Sequence, residues 1–361
     1  MPITSLPIGT ITTVAGNGVF DSTGDGGLAI AATVRTVVDL EFDSSGDLYL
    51  ADAYGQCIRM IKGSTGIIST VAGTGIEGYS GDGSLATAAM LNMPNGVTVD
   101  SLSGNLYITD YANYRMRMVT KSTGIITTVA GNGKSGEVSG EDEVRLATEQ
   151  SIGGPITAAI DSILQHLYII VSDLVLMVDL KTGYLTIFAG SDQGYSGDGG
   201  LAVSATFGKP RGVAVDVTSG NVYIVDSGNS RIRMVTKSTG IVTNVAGGDY
   251  VMFVDSPERI DIDAQGNLYI TEPNNDRIIK VTKSTGKISY VAGTGVEGFS
   301  GDGGPAVAAQ LQNPMAIAVN SLSGVVVFSD YNNYRLRSFT VPIPKGMYVY
   351  NDSSKSFTSI I

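Results

Sequence analysis

Residues 210–235 read "PRGVAVDVTSGNVYIVDSGNSRIRMV", and the same parts return in the same order at residues 94–119 as "PNGVTVDSLSGNLYITDYANYRMRMV". In both, runs of Val, Ile, Tyr and Ala are cut by Ser, Gly, Asn and Asp, the pattern of short strands joined by tight turns. In the first stretch the runs are 212–216, 220–226 and 230–236, and a fourth, "GIVTNVAG", follows at 240–247. The turn "TKSTG" joins third to fourth strand at 120–124, 236–240 and 282–286, its closing glycine free to take positive φ. Four strands make one unit.

Working outward, the fourth strand ends in "VAG" or "FAG", with its glycine at Gly16, Gly73, Gly131, Gly190, Gly247 and Gly293. The intervals, 57, 58, 59, 57 and 46 residues, point to a propeller or array of supersecondary units. A second marker is proline followed six residues later by Asp or Asn, as in Pro94/Asp100, Pro155/Asp161, Pro210/Asp216, Pro257/Asp263 and Pro314/Asn320. The remaining copy ends at Asp43, with Val37 where the proline would be.

"ITTVAG" at 11–16 is a fourth strand with no first three before it, while the last unit has three strands (315–318, 325–329, 334–341) and then "PIPKG". The orphan strand completes the last blade, which closes a ring and removes exposed edges. The predicted fold is therefore all-β: a six-bladed β-propeller of four-stranded antiparallel blades, closed by the N-terminal strand. It forms one domain over residues 1–341, with 342–361 beyond the ring as an extra hairpin or the stub of a linker.

These stretches resemble NHL repeats, whose hallmark is P-x-G-h-A-V-D, then G-N-h-Y-h-x-D, then N-x-R-h; the match recurs through residues 11–341. The resemblance implies the propeller and little chemistry. Similar propellers serve as protein- and RNA-binding modules, sensor domains and parts of adhesion receptors, and a few relatives are lyases or lactone hydrolases. Two departures stand out. The fourth-to-first connection carries an insert such as "GYSGDGGLAVSATFGKP" (194–210), and blade three reads "VSDLVL" (171–176) where other blades have Asp110/Asn113/Arg115, Asp226/Asn229/Arg231 and Asp330/Asn333/Arg335. Blade one has Cys57 at the arginine position, and blade five has Glu272/Asn275/Arg277.

Composition bounds the function. The chain has 361 residues, 43% hydrophobic and 16% charged, with a formal charge of −11 and 23 Lys+Arg. No basic stripe exists for nucleic-acid phosphates or anionic lipid, so nucleic acid is excluded as the expected partner. One cysteine and one histidine exclude a disulfide framework and a thiolate or His-rich zinc site. The most apolar stretch, 167–180, is interrupted by Ser172, Asp173 and Asp179, so no membrane insertion is expected. The start lacks a secretory signal. Gly/Thr/Ser-rich, lysine-poor repeats and the tripeptide Asn351-Asp352-Ser353 favour an extracellular or cell-surface setting for a mature or excised fragment, and a cytoplasmic one if Met1 is the native start.

"GYSGDGG" (194–200) and "GFSGDGG" (298–304) raise the question of a calcium or phosphate loop. The aspartate recurs as Asp25, Asp82, Asp198 and Asp302, followed by two small residues, then Leu28, Leu85, Leu201 or Pro305 and an Ala-rich run. Calcium needs several oxygens and each insert offers one carboxylate; a phosphate cradle brings a lysine, and none follows. The expectation is scaffold: a glycine turn entering a one- or two-turn helix, its start capped by the aspartate. The Asp/Asn/Arg sets are expected to be ion pairs stitching one blade to the next. The second-strand tyrosines, Tyr49, Tyr107, Tyr168, Tyr223 and Tyr269, are expected in the core.

A residue found in one copy only is not explained by the blade. On the channel-lining first strands, the residue two before the terminal Asp/Asn is Glu41, Thr98, Ala159, Ala214, Asp261 or Ala318; four before, it is Asp39, Gly96, Thr157, Gly212, Arg259 or Ala316. Asp39, Glu41, Arg259 and Asp261 thus form a candidate ligand site, read either as a buried ion pair or as a cation or acid/base site. Blade five also lacks the long insert, and the short connection from Gly247 to Pro257 is expected to open a notch in the same sector, lined by Tyr250, Met252 and Phe253. The functional expectation is a non-enzymatic module binding a protein or glycan, a monomeric ring alone or within a larger chain. The alternative is a calcium-dependent hydrolase or lyase. No catalytic residue is assigned, and no cofactor is expected unless the channel takes calcium.

Overall fold

In the computed structural model, residues 7–136, 138, 145–248, 254–342, 348–351 and 356–359 are described. Six antiparallel sheets, each built on four strands in sequence order, form the blades. Blade two is representative, with strands Pro94–Val99, Leu106–Asp110, Arg115–Val119 and Ile126–Ala130. The last blade takes Pro314–Asn320, Val325–Asp330 and Arg335–Thr340, and its fourth strand is Thr12–Ala15 from the other end of the chain. The register pairs Thr12 with Ser338, Thr13 with Arg337 and Ala15 with Leu336. Tyr348–Asn351 and Ser356–Ser359 form a separate two-stranded sheet.

The "VAG" glycine has a specific task. Between third and fourth strands the register slips by one residue, as between Met116 and Arg117, and the chain then leaves the sheet. At Gly73, φ is +95° and an added Cβ would run into the Gln56 carbonyl. Only glycine meets both demands.

The core lies between blades rather than within them. Tyr49 and Ile58 of blade one, for example, pack with Val97, Leu106 and Ile108 of blade two. All five second-strand tyrosines are buried. Polar ties across the same seams come from the lysine of the third-to-fourth turn: Lys121 donates to the Tyr49 hydroxyl at 2.9 Å, and Lys283 binds Asp216 at 2.7 Å.

The inserts are scaffold by a different mechanism from the one expected. Each contains a single 3-10 turn of three residues, as at Ala86–Ala88, and no side chain caps it; Pro305 lies just before the turn rather than in it. The turn is short because the chain around it must run along the outer strand of the blade it leads into: Gly83 N donates to Ile126 O and Ile126 N to Ser84 O. Each insert thereby covers a sheet edge that would otherwise be open to pairing. Blade three has the same cover, with Arg145–Leu146 paired to Leu185 and Tyr184, although its sequence lacks the Gly-Asp-Gly signature.

The insert aspartates instead bind arginine. Asp82 accepts from Arg117 at 2.7 Å, Asp198 from Arg233 at 2.9 Å, Asp302 from Arg337 at 2.8 Å and Asp25 from Arg59 at 2.6 Å, and each of these guanidiniums is buried. In blade two Arg117 also holds Asp110 at 3.1 Å. The partner of Asp110 is thus Arg117 and not Arg115, and the set pins an insert to its own blade rather than stitching neighbouring blades. The register explains the change: Arg115 faces Asp110 at the end of the strand pair, and its side chain turns outward to the carbonyls of Asn113 and Asn132.

Candidate functional site

The first strands converge on a central channel, and the odd residues of blades one and five meet inside it. A cavity of about 350 Å³ is lined by Asp39, Glu41, Arg259 and Asp261 among alanine and valine side chains. Asp39 is tied down: its Oδ2 accepts from Thr157 Oγ1 at 3.0 Å and Val97 N at 3.3 Å. Asp261 Oδ2 accepts from Val319 N at 2.7 Å. The Glu41 carboxyl makes no hydrogen bond among the described residues.

Arg259 crosses the channel. Its Nη1 donates to Arg211 O of blade four at 2.6 Å and Nη2 reaches Asn95 O of blade two at 3.4 Å, on the side of the ring opposite blade five. Its Nε lies 3.8 Å from Asp39 Oδ1, too far for a hydrogen bond, and has no acceptor. Arg259 also lies 3.5 Å from Glu258 Oε1, and of the three channel carboxyls it pairs only with Asp39, which leaves Glu41 and Asp261 without a cation among the described residues.

Burial, and then the nearby charges of Asp261 and Asp39, push the Glu41 carboxyl well above the usual range. Burial raises Asp261 to about 7 despite the two backbone N–H groups that favour its anion. Asp39 is raised by burial, with Arg259 opposing. Burial thus favours the protonated forms of these carboxyls, and for Glu41 the neighbouring carboxylates add to the effect. Among the described residues no three His, Cys, Asp or Glu side chains converge to hold a metal ion.

The described part of the blade-five connection lines a different opening from this cluster. The carboxylate cavity opens at the first-to-second-strand turns, past Ser44, Ser101 and Ser162, whereas Ser256 and Glu258 line a separate pocket with Lys209, Arg211 and Asn274. Strand direction explains this: each first strand runs from the insert face to the hairpin face, and Glu41 and Asp261 sit near its far end. Tyr250, Met252 and Phe253 lie outside the described residues.

The insert face carries a second feature that the sequence reading missed. The Arg35 guanidinium lies 4.5 Å from the Phe20 ring centroid and 5.8 Å from that of Tyr54, and Phe20 packs on Tyr334 at 5.2 Å. Phe20 and Tyr54 are 48% and 49% exposed. Arg35 has no carboxylate partner among the described residues, and its Nε is buried without an acceptor. The signal was legible: Phe20 stands where other inserts have Glu77, Gln193 and Glu297, and Arg35 where they have Asn92, Gly208 and Gln312.

A closed ring with a lined channel and a loop-bearing face defines a six-bladed propeller. Residues 186–257 match the family described as the Teneurin NHL domain, and the chain is an NHL-repeat propeller. It is 29% identical over 254 residues to human Teneurin-4, covering 62% of this chain and 9% of that protein. It is 26% identical over 204 residues to the chloroplastic protein SUPPRESSOR OF QUENCHING 1 of Arabidopsis thaliana, covering 56% of this chain and 19% of that one. The chain thus spans less than a fifth of the length of these relatives. Among solved structures, an auxiliary nutrient binding protein from Bacteroides thetaiotaomicron superposes with a TM-score of 0.63 at 18% identity, covering 91% of this chain and 75% of that one.

Proposed function

We propose that this chain is a non-enzymatic recognition module that takes a protein partner, or a glycan, on its insert-bearing face at blades six and one, in an extracellular or cell-surface setting. The observation that carries the reading is the Phe20–Arg35–Tyr54 cluster: half-exposed aromatics around an arginine that no carboxylate among the described residues neutralises. Tyrosine and arginine grouped in this way are the side chains that most often dominate protein interfaces. The similarity of residues 186–257 to the Teneurin NHL domain supports the setting.

The test is a screen of immobilised ectodomains and glycans with the wild-type ring and with a Phe20→Ala, Arg35→Ala, Tyr54→Ala triple variant. A partner held by the wild type and lost by the triple variant supports the reading. A partner lost by Glu41→Gln but kept by the triple variant moves the site to the channel.

The channel motivates a second reading, a hydrolase or lyase using Glu41 and Asp261 as acid and base, because both carboxyls are raised within one cavity. Calcium is less well supported there, since Arg259 already faces Asp39 and the carboxylates do not converge.

A further inference from the structure

Blade one departs from the repeat at a second pair of positions, and the departure leaves a hole of known shape. In blades two, four and six the first residue of the third strand is an arginine held flat in one socket. Arg115 donates to Asn113 O at 3.0 Å and Asn132 O at 3.1 Å, Arg231 to Asn229 O at 2.8 Å and Gly248 O at 3.3 Å, and Arg335 to Asn333 O at 2.9 Å and Asn17 O at 3.1 Å. An aromatic ring from the insert covers each guanidinium: Tyr79 at 3.8 Å, Tyr195 at 3.8 Å and Phe299 at 4.2 Å. The fit is close, for a Cβ on Gly133 or Gly18 would collide with the guanidinium.

In blade one the arginine is Cys57 and the aromatic is Ser22. The socket itself remains. An open pocket of about 440 Å³ is lined by Ser22, Gly55, Cys57, Thr70, Thr74 and Gly75, and at Gly75 an added Cβ would meet only the Gly55 carbonyl, 3.8 Å away. Gly55 and Thr74 correspond to Asn113 and Asn132, the two carbonyl acceptors, and neither carbonyl receives a hydrogen bond among the described residues.

A buried carboxylate adjoins the socket behind Gly55 and lacks the arginine that its counterparts hold. Asp52, the counterpart of Asp110, is fully buried and accepts from Ser22 Oγ, Thr36 N and Gly55 N, but no arginine lies within ion-pair distance of it among the described residues, unlike Asp110, Asp226 and Asp330. Burial and the Asp52 charge raise the Cys57 thiol to about 12, so the floor of the pocket is neutral.

We propose that the blade-one socket receives the guanidinium of an arginine side chain from a protein partner, held by the carbonyls of Gly55 and Thr74 in the geometry that blades two, four and six impose on their own arginines. The inference deepens the reading of the insert face as the partner-binding face and rests on it for the source of the arginine. Tyr54 adjoins Gly55 and Phe20 lies two residues from Ser22, so the anchor and the aromatic cluster belong to one surface. A planar guanidinium offers two N–H donors at a fixed spacing in a flat slot, whereas an ammonium is a compact point charge whose donors radiate from one atom.

The experiment is a titration of the ¹⁵N-labelled protein with N-acetyl-arginine amide, N-acetyl-lysine amide, agmatine and a capped Gly-Arg-Gly peptide. Saturable shifts of the Gly55, Gly73 and Gly75 amides are expected with the capped arginine and the peptide, and roughly tenfold weaker binding with lysine. Cys57→Arg, which refills the socket from within, should abolish the shifts and raise the melting temperature. Cys57→Leu, copying Leu174 of blade three, should also abolish them, while Cys57→Ala should keep them. No saturable shift with capped arginine, or the same shift in Cys57→Arg, overturns the proposal. Binding of agmatine without binding of the peptide overturns the protein-partner assignment. The Phe20/Arg35/Tyr54 triple variant leaves the socket intact, so failure of the wider reading appears as retained partner binding in that variant, separately from the capped-arginine result.

Discussion

Thr13 donates its hydroxyl to Asp302 Oδ2 at 2.6 Å, joining residues 289 positions apart, while the other oxygen of Asp302 accepts from Arg337 at 2.8 Å. One insert carboxylate therefore fastens the N-terminal strand to the blade it completes. The backbone repeats the clasp, with Ile11 N donating to Gly304 O and Gly303 N to Ile11 O.

Deleting residues 1–16 should remove this strand and expose the edge formed by Arg335–Thr340. Size-exclusion chromatography and thermal melts should show oligomers or loss of cooperative unfolding. A monomer with an unchanged melting temperature would mean that the ring is closed by other means.

Asp198→Ala should destabilise by about 1–3 kcal/mol, because it removes an acceptor from the buried Arg233 guanidinium, and the loss is limited because Arg233 keeps the carbonyls of Ser196 and Thr206. Asp198→Asn keeps an oxygen but not the charge and should lie between wild type and alanine. Added calcium should leave all three melting temperatures unmoved; a calcium-dependent rise confined to the wild type would refute the ion-pair account.

Glu41→Gln should stabilise the ring at neutral pH. The folded state holds a proton on Glu41 more tightly than the unfolded chain does, so the stability linked to this group is complete below the ordinary glutamate value of 4.5 and is lost as pH rises through the higher folded value. Glutamine removes that loss and sacrifices no hydrogen bond. The gain in melting temperature should shrink to nothing as pH falls toward 4.5. A constant difference across the range, or a destabilised variant at neutral pH, would contradict the raised carboxyl.

Period and ends were enough to read the ring, because hydrophobic alternation and the "VAG" glycine are dictated locally by strand and turn geometry. The meeting of Asp39, Glu41, Arg259 and Asp261 followed from counting positions along equivalent strands. Which mouth they face did not, since it depends on the direction of the first strand relative to the inserts. The partner of Asp110 was misread for a related reason. Arg115 and Arg117 are both near in sequence, and only the cross-strand register shows which one turns inward. The Arg35 cluster and the blade-one socket were visible as breaks in the repeat, but their meaning required knowing what the intact copies hold.

Because each insert lies over the blade that follows it, the unit that carries its own edge cover is offset from the blade as usually drawn. The segment from Thr74 to Gly131 contains its own edge cover, the Asp82–Arg117–Asp110 lock and the bond from Asn113 to Gly78 O. Cut at its glycines, it is a transplantable cassette; cut at its turns, it leaves its shield behind. Gene duplication or a designer wishing to add a seventh blade would preserve every one of these contacts by copying between successive "VAG" glycines.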